Sequence, residues 1–473
     1  MQFDSLTFLL FFALTLAVYN ALASWNARKW LLLGASYLFY SAWNPPFLLL
    51  LLASTTLDWW IAGRIHTATT AAARKRRVIA TLLINLGVLG YFKYSRFVLD
   101  NAIALLAHAG IVYSPPAFDI VLPIGISFYT FHSLSYCLDI YRGKFTPTRS
   151  WRDYALYVGF FPQLVAGPIT RFSQMREQIE TPRRSTAHGL GLGSALLVLG
   201  LFEKIVLADS LFAPVADAVF DAAAPLDSAV SWTGVLAFSG QIFCDFAGYS
   251  SCALGSALAL GFVLPVNFRN PYAAIGFSDF WRRWHISLST WLRDYVYASL
   301  GGNRQGAWHT YRNLMLTMLI GGLWHGAAWT FLVWGGLHGL LLSAERALRE
   351  PVSRWRWNTR WTRAAYGIVT LVLVCLAWVW FRAHDVAAAW RITTRLFDVA
   401  SLPAALASLT IDQRIAAGAF GLVVVVQWLF RERGPIALFE RLPAPLLGLL
   451  LGVLLSMIVL SPGTNHAFIY FQF

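Results

Sequence analysis

Charge is scarce in this chain. Asp, Glu, Lys and Arg make up 13% of the residues, against roughly 25% in an ordinary soluble domain. That leaves too few polar groups to cover a water-exposed surface. The same shortage, beside 58% hydrophobic residues, excludes intrinsic disorder. There are four cysteines (Cys137, Cys244, Cys252 and Cys375). All sit in apolar or aromatic surroundings and no two form a CxxC pair, which argues against a disulfide framework and a thiolate zinc site. No P-loop, GxSxG or HExxH motif occurs, so nucleotide-driven transport, serine-hydrolase chemistry and zincin chemistry have no support. No repeat of 20–50 residues is visible. Neither is a soluble appended domain or a low-complexity linker.

What is abundant is apolar and aromatic sequence. The 473 residues include 21 Trp, 18 Tyr and 34 Phe. At about 20 apolar residues per crossing, the length accommodates roughly ten to twelve membrane spans. The fold class expected is an all-α polytopic membrane protein, with residues 1–473 as one membrane-embedded domain. The 37 Lys and Arg exceed the 23 Asp and Glu, giving a net charge of +14. With no soluble basic domain to carry it, this excess reads as cytoplasmic loop charge and not as a nucleic-acid surface.

The first apolar run, from Leu6 to Ala23, lacks a basic region before it and so differs from a signal peptide. Arg28 and Lys29 follow it, which places the N-terminus outside and an Arg28/Lys29 turn inside. Asn44-Pro45-Pro46 divides the next apolar stretch into two short spans. Arg74–Arg77 is the densest basic cluster and reads as a cytoplasmic loop, with a lipid-headgroup or substrate site as its alternative. Arg346–Arg363 and Arg431–Arg433 are basic in the same way. Both termini are expected outside.

Polar and ionisable residues gather between Gln241 and Trp329. Such groups inside a membrane usually mark a functional site or a water-filled cavity. Ser278–Leu292 (SDFWRRWHISLSTWL) has Ser278 placed to cap a helix and Asp279 at the positive end of its dipole. Trp281, Trp284, His285, Leu288 and Trp291 then recur on one face. This spacing predicts an amphipathic helix at the membrane surface, with His285 facing inward and Arg282 and Arg283 on the other side. Leu314–Leu342 (LMLTMLIGGLWHGAAWTFLVWGGLHGLLL) is long for one span and short for two. Arginines lie at both its ends, so it reads as a hairpin whose turn lies inside the membrane, near Gly321, Gly322 and Gly326. His325 lies beside that turn, and a neutral imidazole there is suited to act as a general base near neutral pH. His338 sits on a Gly-rich face and suits helix packing better. A metal site built from His285, His325 and His338 lacks a supporting carboxylate, so no metal is expected.

FFPQLVAGPITRF (Phe160–Phe172) breaks an apolar run around Gln163. Unwound backbone at membrane depth must be buried in protein or line a cavity. CDFAGYSSCALG (Cys244–Gly255) fits helix packing and a cavity wall equally well.

These two segments, LPVNFRNPYAAIGFSDFWRRWHISLSTWLRDYVYASLGGNR and GGLWHGAAWTFLVWGGLHG together resemble the membrane-bound O-acyltransferase family. The likeness is to its bacterial polysaccharide branch, which includes the membrane subunit of alginate O-acetylation. It extends weakly over the N-terminal spans and to the closing FIYFQF. The resemblance implies a ring of roughly 11 transmembrane helices, with re-entrant and interfacial helices, around a central tunnel. It implies an acetyltransferase of the bacterial inner membrane. Acetyl-CoA would donate from the cytoplasm, and no cofactor would be permanently bound. The acceptor would be an extracytoplasmic polysaccharide or a periplasmic acetyl-carrier or transferase protein. The family's histidine in a WHG setting corresponds to His325 and its upstream partner to His285. Arg282, Arg283, Arg293 and Arg304 are candidates for the coenzyme A phosphates, although topogenic charge explains them equally well. A polysaccharide or lipid transporter without acyl chemistry, and a protein or lipid acyltransferase of the same family, are the alternative readings.

The charge asymmetry predicts that cysteines introduced at positions 75 and 356 react with membrane-impermeant reagents only after the cytoplasmic face is opened. Labelling of either position in intact cells would reverse the orientation.

Overall fold

The computed structural model describes residues 1–115, 120–224, 226–353, 359–398, 400, 406–461 and 468–469. Part of the Arg346–Arg363 stretch (354–358, and with it position 356) lies outside the described residues, as do residues 470–473 of the closing FIYFQF. Among the described residues the chain is helical and has no β-strand, as the composition requires. The backbone groups of a membrane-embedded chain must pair internally, and helices do this within one segment.

Among the described residues, five helical stretches are long and apolar enough to cross a membrane: Pro46–His66, Ala71–His108, Ala187–Phe220, Ser228–Ala259 and Arg360–Arg382. Leu6–Ala21 and Ala444–Leu460 are shorter apolar helices. The chain is a multi-pass membrane protein, although many of its helices are shorter than the expected spans.

The chain forms two compact units. The first comprises Met1–Ser194 with Ala253–Pro265. It contains α1 (Leu6–Ala21), α2 (Trp25–Ser41), α3 (Pro46–His66), α4 (Ala71–His108), α5 (Ile126–Tyr141), α6 (Trp151–Gly159), α7 (Phe161–Leu164) and α8 (Phe172–Glu180). The break between α2 and α3 falls at the expected prolines. The chain turns after the first run at residues 22–24, just ahead of the expected basic pair. Arg28 and Lys29 lie within α2 and are buried. Lys29 Nζ pairs with Asp153 Oδ1 at 2.8 Å, and Arg28 donates to the carbonyls of Leu22 (2.8 Å) and Arg183 (2.9 Å). Two charges that read as topogenic therefore have internal partners, because long cationic side chains can reach back from a helix to carboxylates and carbonyls of other segments. Around the expected break at Gln163 the backbone is buried and internally bonded. Thr170 Oγ1 donates to Gln163 Oε1 at 2.7 Å, and the Thr170 N–H donates to His132 Nε2 at 3.2 Å. Tyr157 Oη donates to the Thr170 carbonyl at 3.1 Å.

The second unit comprises Ala195–Cys252 and Val266–Phe473. The helix α9 (Ala187–Leu201) enters it and widens into a π-helix (Phe202–Phe212) before α10 (Ala213–Phe220). The i→i+5 bonding step of a π-helix is also the separation of Lys204 and Asp209, whose side chains pair at 2.9 Å. Lys204 also pairs with Asp245 at 2.7 Å. Asp245 lies on α11 (Ser228–Ala259) and accepts the N–H of Ile469 at 2.7 Å. The helices α9 and α11 close on each other at Gly200, where an added Cβ would lie 2.5 Å from the Gly248 carbonyl. Further α-helices of this unit among the described residues are α12 (Phe277–Trp281), α13 (Ile286–Trp291), α14 (Ala307–His325), α15 (Trp329–Ser353), α16 (Arg360–Arg382), α17 (Val386–Leu396), α18 (Ile411–Leu429), α19 (Pro435–Phe439) and α20 (Ala444–Leu460).

The Lys29–Asp153 pair has a testable asymmetry. Arg152 also contacts Asp153, at 3.1 Å, so Lys29→Met leaves the carboxylate a counter-charge. Asp153→Leu strands a buried ammonium and should cost about 3–5 kcal/mol. Thermal unfolding followed by gel filtration should rank Asp153→Leu below Lys29→Met, with the double variant Lys29→Met/Asp153→Leu recovering most of the loss.

Candidate active site

His325 is the last residue of α14. Beyond it Gly326 is extended, and α15 returns antiparallel along α14. Glycines set how closely the two helices approach. A Cβ at Gly322 would collide with the Phe331 carbonyl, one at Gly335 with the Met318 carbonyl, and one at Gly326 with the Phe331 ring. The expected hairpin therefore forms, and backbone packs against backbone at its closed end. His325 is 4% exposed there. Trp324, Trp334 and Phe381 surround its ring, with centroids at 5.0, 5.1 and 5.3 Å.

His285 approaches from a separate element. The expected amphipathic helix over Ser278–Leu292 is broken. The helix α12 begins after Gly276, whose φ of +94° replaces the expected Ser278 cap. His285 itself is left-handed (φ 41°, ψ 54°) and is followed by α13. This conformation costs a side-chain-bearing residue about 1–2 kcal/mol, so neighbouring contacts must hold it. Periodicity could not reveal the break, because the same apolar spacing persists on both sides of it. His285 is fully buried. Its ring centroid lies 6.4 Å from that of His325, 5.9 Å from Trp324 and 4.7 Å from Phe246, which meets it edge-on. The two histidines that the sequence singled out are thus neighbours, 40 residues apart in sequence. Trp334, Phe381 and Phe246 belong to the same enclosure, and sequence reading did not single them out. Phe246 and Trp334 fall inside the quoted motifs, but as single aromatic residues among many they carry no distinguishing spacing, and neither does Phe381.

The four arginines are placed differently from one another. Arg283 is buried. Its Nε donates to Asp279 Oδ1 at 3.0 Å, Nη1 to the Arg431 carbonyl at 2.7 Å, and Nη2 to Glu432 Oε1 at 2.9 Å. Arg431 closes the network on Asp279 Oδ2 at 2.6 Å. Partial burial opposes the Asp279 charge, yet the Ile275 N–H, Arg283 and Arg431 hold its carboxyl below the ordinary range. The contribution of this cluster to stability is therefore complete above the usual carboxylate pKa and is lost as pH falls through the lowered one. Arg282 is exposed and folds back onto Ser278 Oγ at 2.9 Å. Arg293 is 64% exposed beside Asp294, and Arg304 is exposed on the Gly301–Gly306 loop.

His338, on α15, is fully buried, and Trp334 packs against both it and His325. Phe280, Trp281 and Trp334 box its ring, with centroids at 6.0, 5.0 and 4.9 Å. Among the described residues no group of three His, Cys, Asp or Glu side chains is arranged to hold a metal ion.

Comparison with known proteins bears on this arrangement. The sequence model of the membrane-bound O-acyltransferase family matches residues 148–382, a span that includes both histidines. The chain is 44% identical over 401 residues to the probable alginate O-acetylase AlgI of Azotobacter vinelandii, covering 84% of this chain and 78% of that protein. It is 36% identical over 392 residues to the peptidoglycan O-acetyltransferase of Helicobacter pylori, covering 77% and 72%. A more distant similarity, 27% over 286 residues, is to the teichoic acid D-alanyltransferase of Bacillus subtilis, covering 56% and 70%.

The hairpin geometry makes a paired prediction. Gly322→Ala forces a methyl against the Phe331 carbonyl and should cost about 1–3 kcal/mol. Gly336→Ala should be neutral or mildly stabilising, because the atom nearest the added methyl, Leu319 Cδ2, would sit at an ordinary 3.7 Å. Melting temperatures of the two variants in detergent check the contrast.

Proposed function

The chain belongs to the membrane-bound O-acyltransferase family and is an O-acyltransferase, and from that premise we propose that it transfers an acetyl group from acetyl-CoA to a hydroxyl outside the cytoplasm. The proposed acceptor is a polysaccharide, or a periplasmic carrier protein that passes the acetyl group onward. The relatives named for alginate and peptidoglycan acetylation support a glycan as the eventual recipient. In this reading residues 1–473 work as one acyltransferase domain in the bacterial inner membrane, with both termini periplasmic.

The observation that carries the proposal is the pair of imidazoles, His285 and His325, with ring centroids 6.4 Å apart inside an aromatic enclosure. The acceptor hydroxyl gives its proton to His325 as its oxygen attacks the thioester carbonyl. The tetrahedral intermediate collapses, the carbon–sulfur bond breaks, and His325 returns the proton to the departing thiolate. The products are the acetyl ester and free coenzyme A. His285 lies across from His325 and orients the reacting groups or assists at the thioester. Burial among Trp324, Trp334, Phe381 and Phe246 excludes the water that would otherwise hydrolyse the donor. Arg282, Arg293 and Arg304 have exposed guanidinium groups that suit the phosphates of coenzyme A. Arg283 is engaged with Asp279 and Glu432, so its contribution to donor binding is to hold the segment that carries the others.

His325→Ala should lower acetyl transfer by about 10²–10⁴-fold while leaving a folded membrane protein, and His285→Ala should impair it less. Glycan acetylation in cells lacking the native protein, read beside expression and gel-filtration profile, tests this. A well-folded His325→Ala protein with near-normal acetylation would remove the catalytic assignment. Arg282→Gln should raise the donor KM with little change in kcat. Arg283→Gln should instead lower folded yield.

A further inference from the structure

Something must hold His285 in its left-handed turn, and the bonds on either side of it converge on one residue, Asn267, and its near neighbour Arg269. Asn267 is 1% exposed and lies on the segment that precedes α12. Its backbone carbonyl accepts the N–H of Ile286 at 2.9 Å. Its side-chain oxygen accepts from Ser287 Oγ at 2.6 Å, and its side-chain nitrogen donates to Ser250 Oγ at 3.1 Å. Two residues on, the Arg269 N–H donates to the Arg283 carbonyl at 3.0 Å. The chain is therefore pinned on both sides of His285 to one short stretch.

The other end of the clamp is α11. Phe246 and Ser250 are four residues apart and so share a face of that helix. Phe246 meets the His285 ring edge-on, and Ser250 anchors Asn267. One rigid helix thereby supports both the imidazole ring and the turn that carries it. Within the Cys244–Gly255 motif, Ser250 thus serves to pack α11 against the His285 turn.

We propose that Asn267 is a positioning residue for acyl transfer, which fixes His285 opposite His325 by bonding simultaneously to Ser250, Ser287 and the Ile286 N–H. The role requires an acceptor and a donor on one short side chain, which asparagine supplies and which aspartate and alanine do not. Loss of the side-chain bonds to Ser250 and Ser287 leaves the turn held only by its backbone bonds to Asn267 and Arg269, so it can relax toward a more favourable conformation and the imidazole moves with the backbone. The inference rests on the proposed participation of His285 in the reaction.

The test is a double-mutant cycle on the purified full chain in lipid nanodiscs, with thiol release from acetyl-CoA as the readout. Misplacement of a reacting group by an ångström costs on the order of 100-fold, so Asn267→Ala should lower kcat about 10- to 100-fold, with donor KM changed by less than about two-fold. Because both changes act through one imidazole, His285→Ala/Asn267→Ala should be no slower than His285→Ala alone. A rate for folded Asn267→Ala within about two-fold of wild type would overturn the proposal, and so would a double variant that loses the product of the two single effects. If Asn267→Ala is not recovered folded, Ser287→Ala and Ser250→Ala each remove one clamp bond and enter the same cycle with the same criteria. A His285→Ala protein at the wild-type rate would instead refute the role given to His285 itself, and the clamp would then have no catalytic target. A slow His285→Ala with multiplicative losses refutes only the clamp.

Discussion

The close crossing of α14 and α15 is the contact on which the site depends. Their backbones meet at Gly322 and Gly335, where a Cβ on either would strike the facing carbonyl. Because the helices close so tightly, the chain can turn within a few residues, and the turn puts His325 at the end of a helix instead of along its side. Phe331, which fills the space left by Gly326, packs in turn against Phe381 with centroids 5.0 Å apart. The aromatic wall around His325 is thus a consequence of the crossing. A single methyl at Gly322 would push the helices apart and displace the imidazole together with its enclosure.

A second constraint is that buried polar groups need partners in a chain with so few of them. In the first unit Lys29 finds Asp153, and Thr81 and Asn85 both donate to Asp58 Oδ1, at 2.6 and 2.8 Å. In the second unit Lys204 lies between Asp209 and Asp245. Arg283 and Arg431 share Asp279. These clusters fix where segments can sit, since removal of either partner leaves an uncompensated polar group in an apolar interior. The segment carrying His285 is held by the last of them at one end and by Asn267 in its middle.

Much of this was legible in the sequence. Scarce charge and long apolar runs specify a helical membrane protein. Arginines at both ends of a Gly- and Trp-rich stretch identify the hairpin. His325 stands out as an ionisable group beside its turn, and His285 as another within an aromatic face. Other features were not legible, for physical reasons. The break at His285 keeps the helical spacing on both sides, so periodicity passes over it. Arg28 and Lys29 have the same identity whether they face lipid headgroups or a buried carboxylate, and only the fold shows that Asp153 and the Arg183 carbonyl lie within their reach. Arg283 and Arg282 are adjacent in sequence, yet one is buried in an ion network and the other is exposed. Asn267, Phe246 and Phe381 join the site through contacts between distant segments, which local pattern does not encode.

In the proposed reaction both imidazoles flank the reacting carbonyl. Cryo-electron microscopy of the full chain with a non-hydrolysable ketone analogue of acetyl-CoA tests it directly. The analogue's carbonyl should lie between the two rings, with its oxygen or carbon within about 3–3.5 Å of the nearest imidazole nitrogen. A carbonyl bound elsewhere, with the Trp324–Trp334–Phe381 enclosure unoccupied, would contradict it.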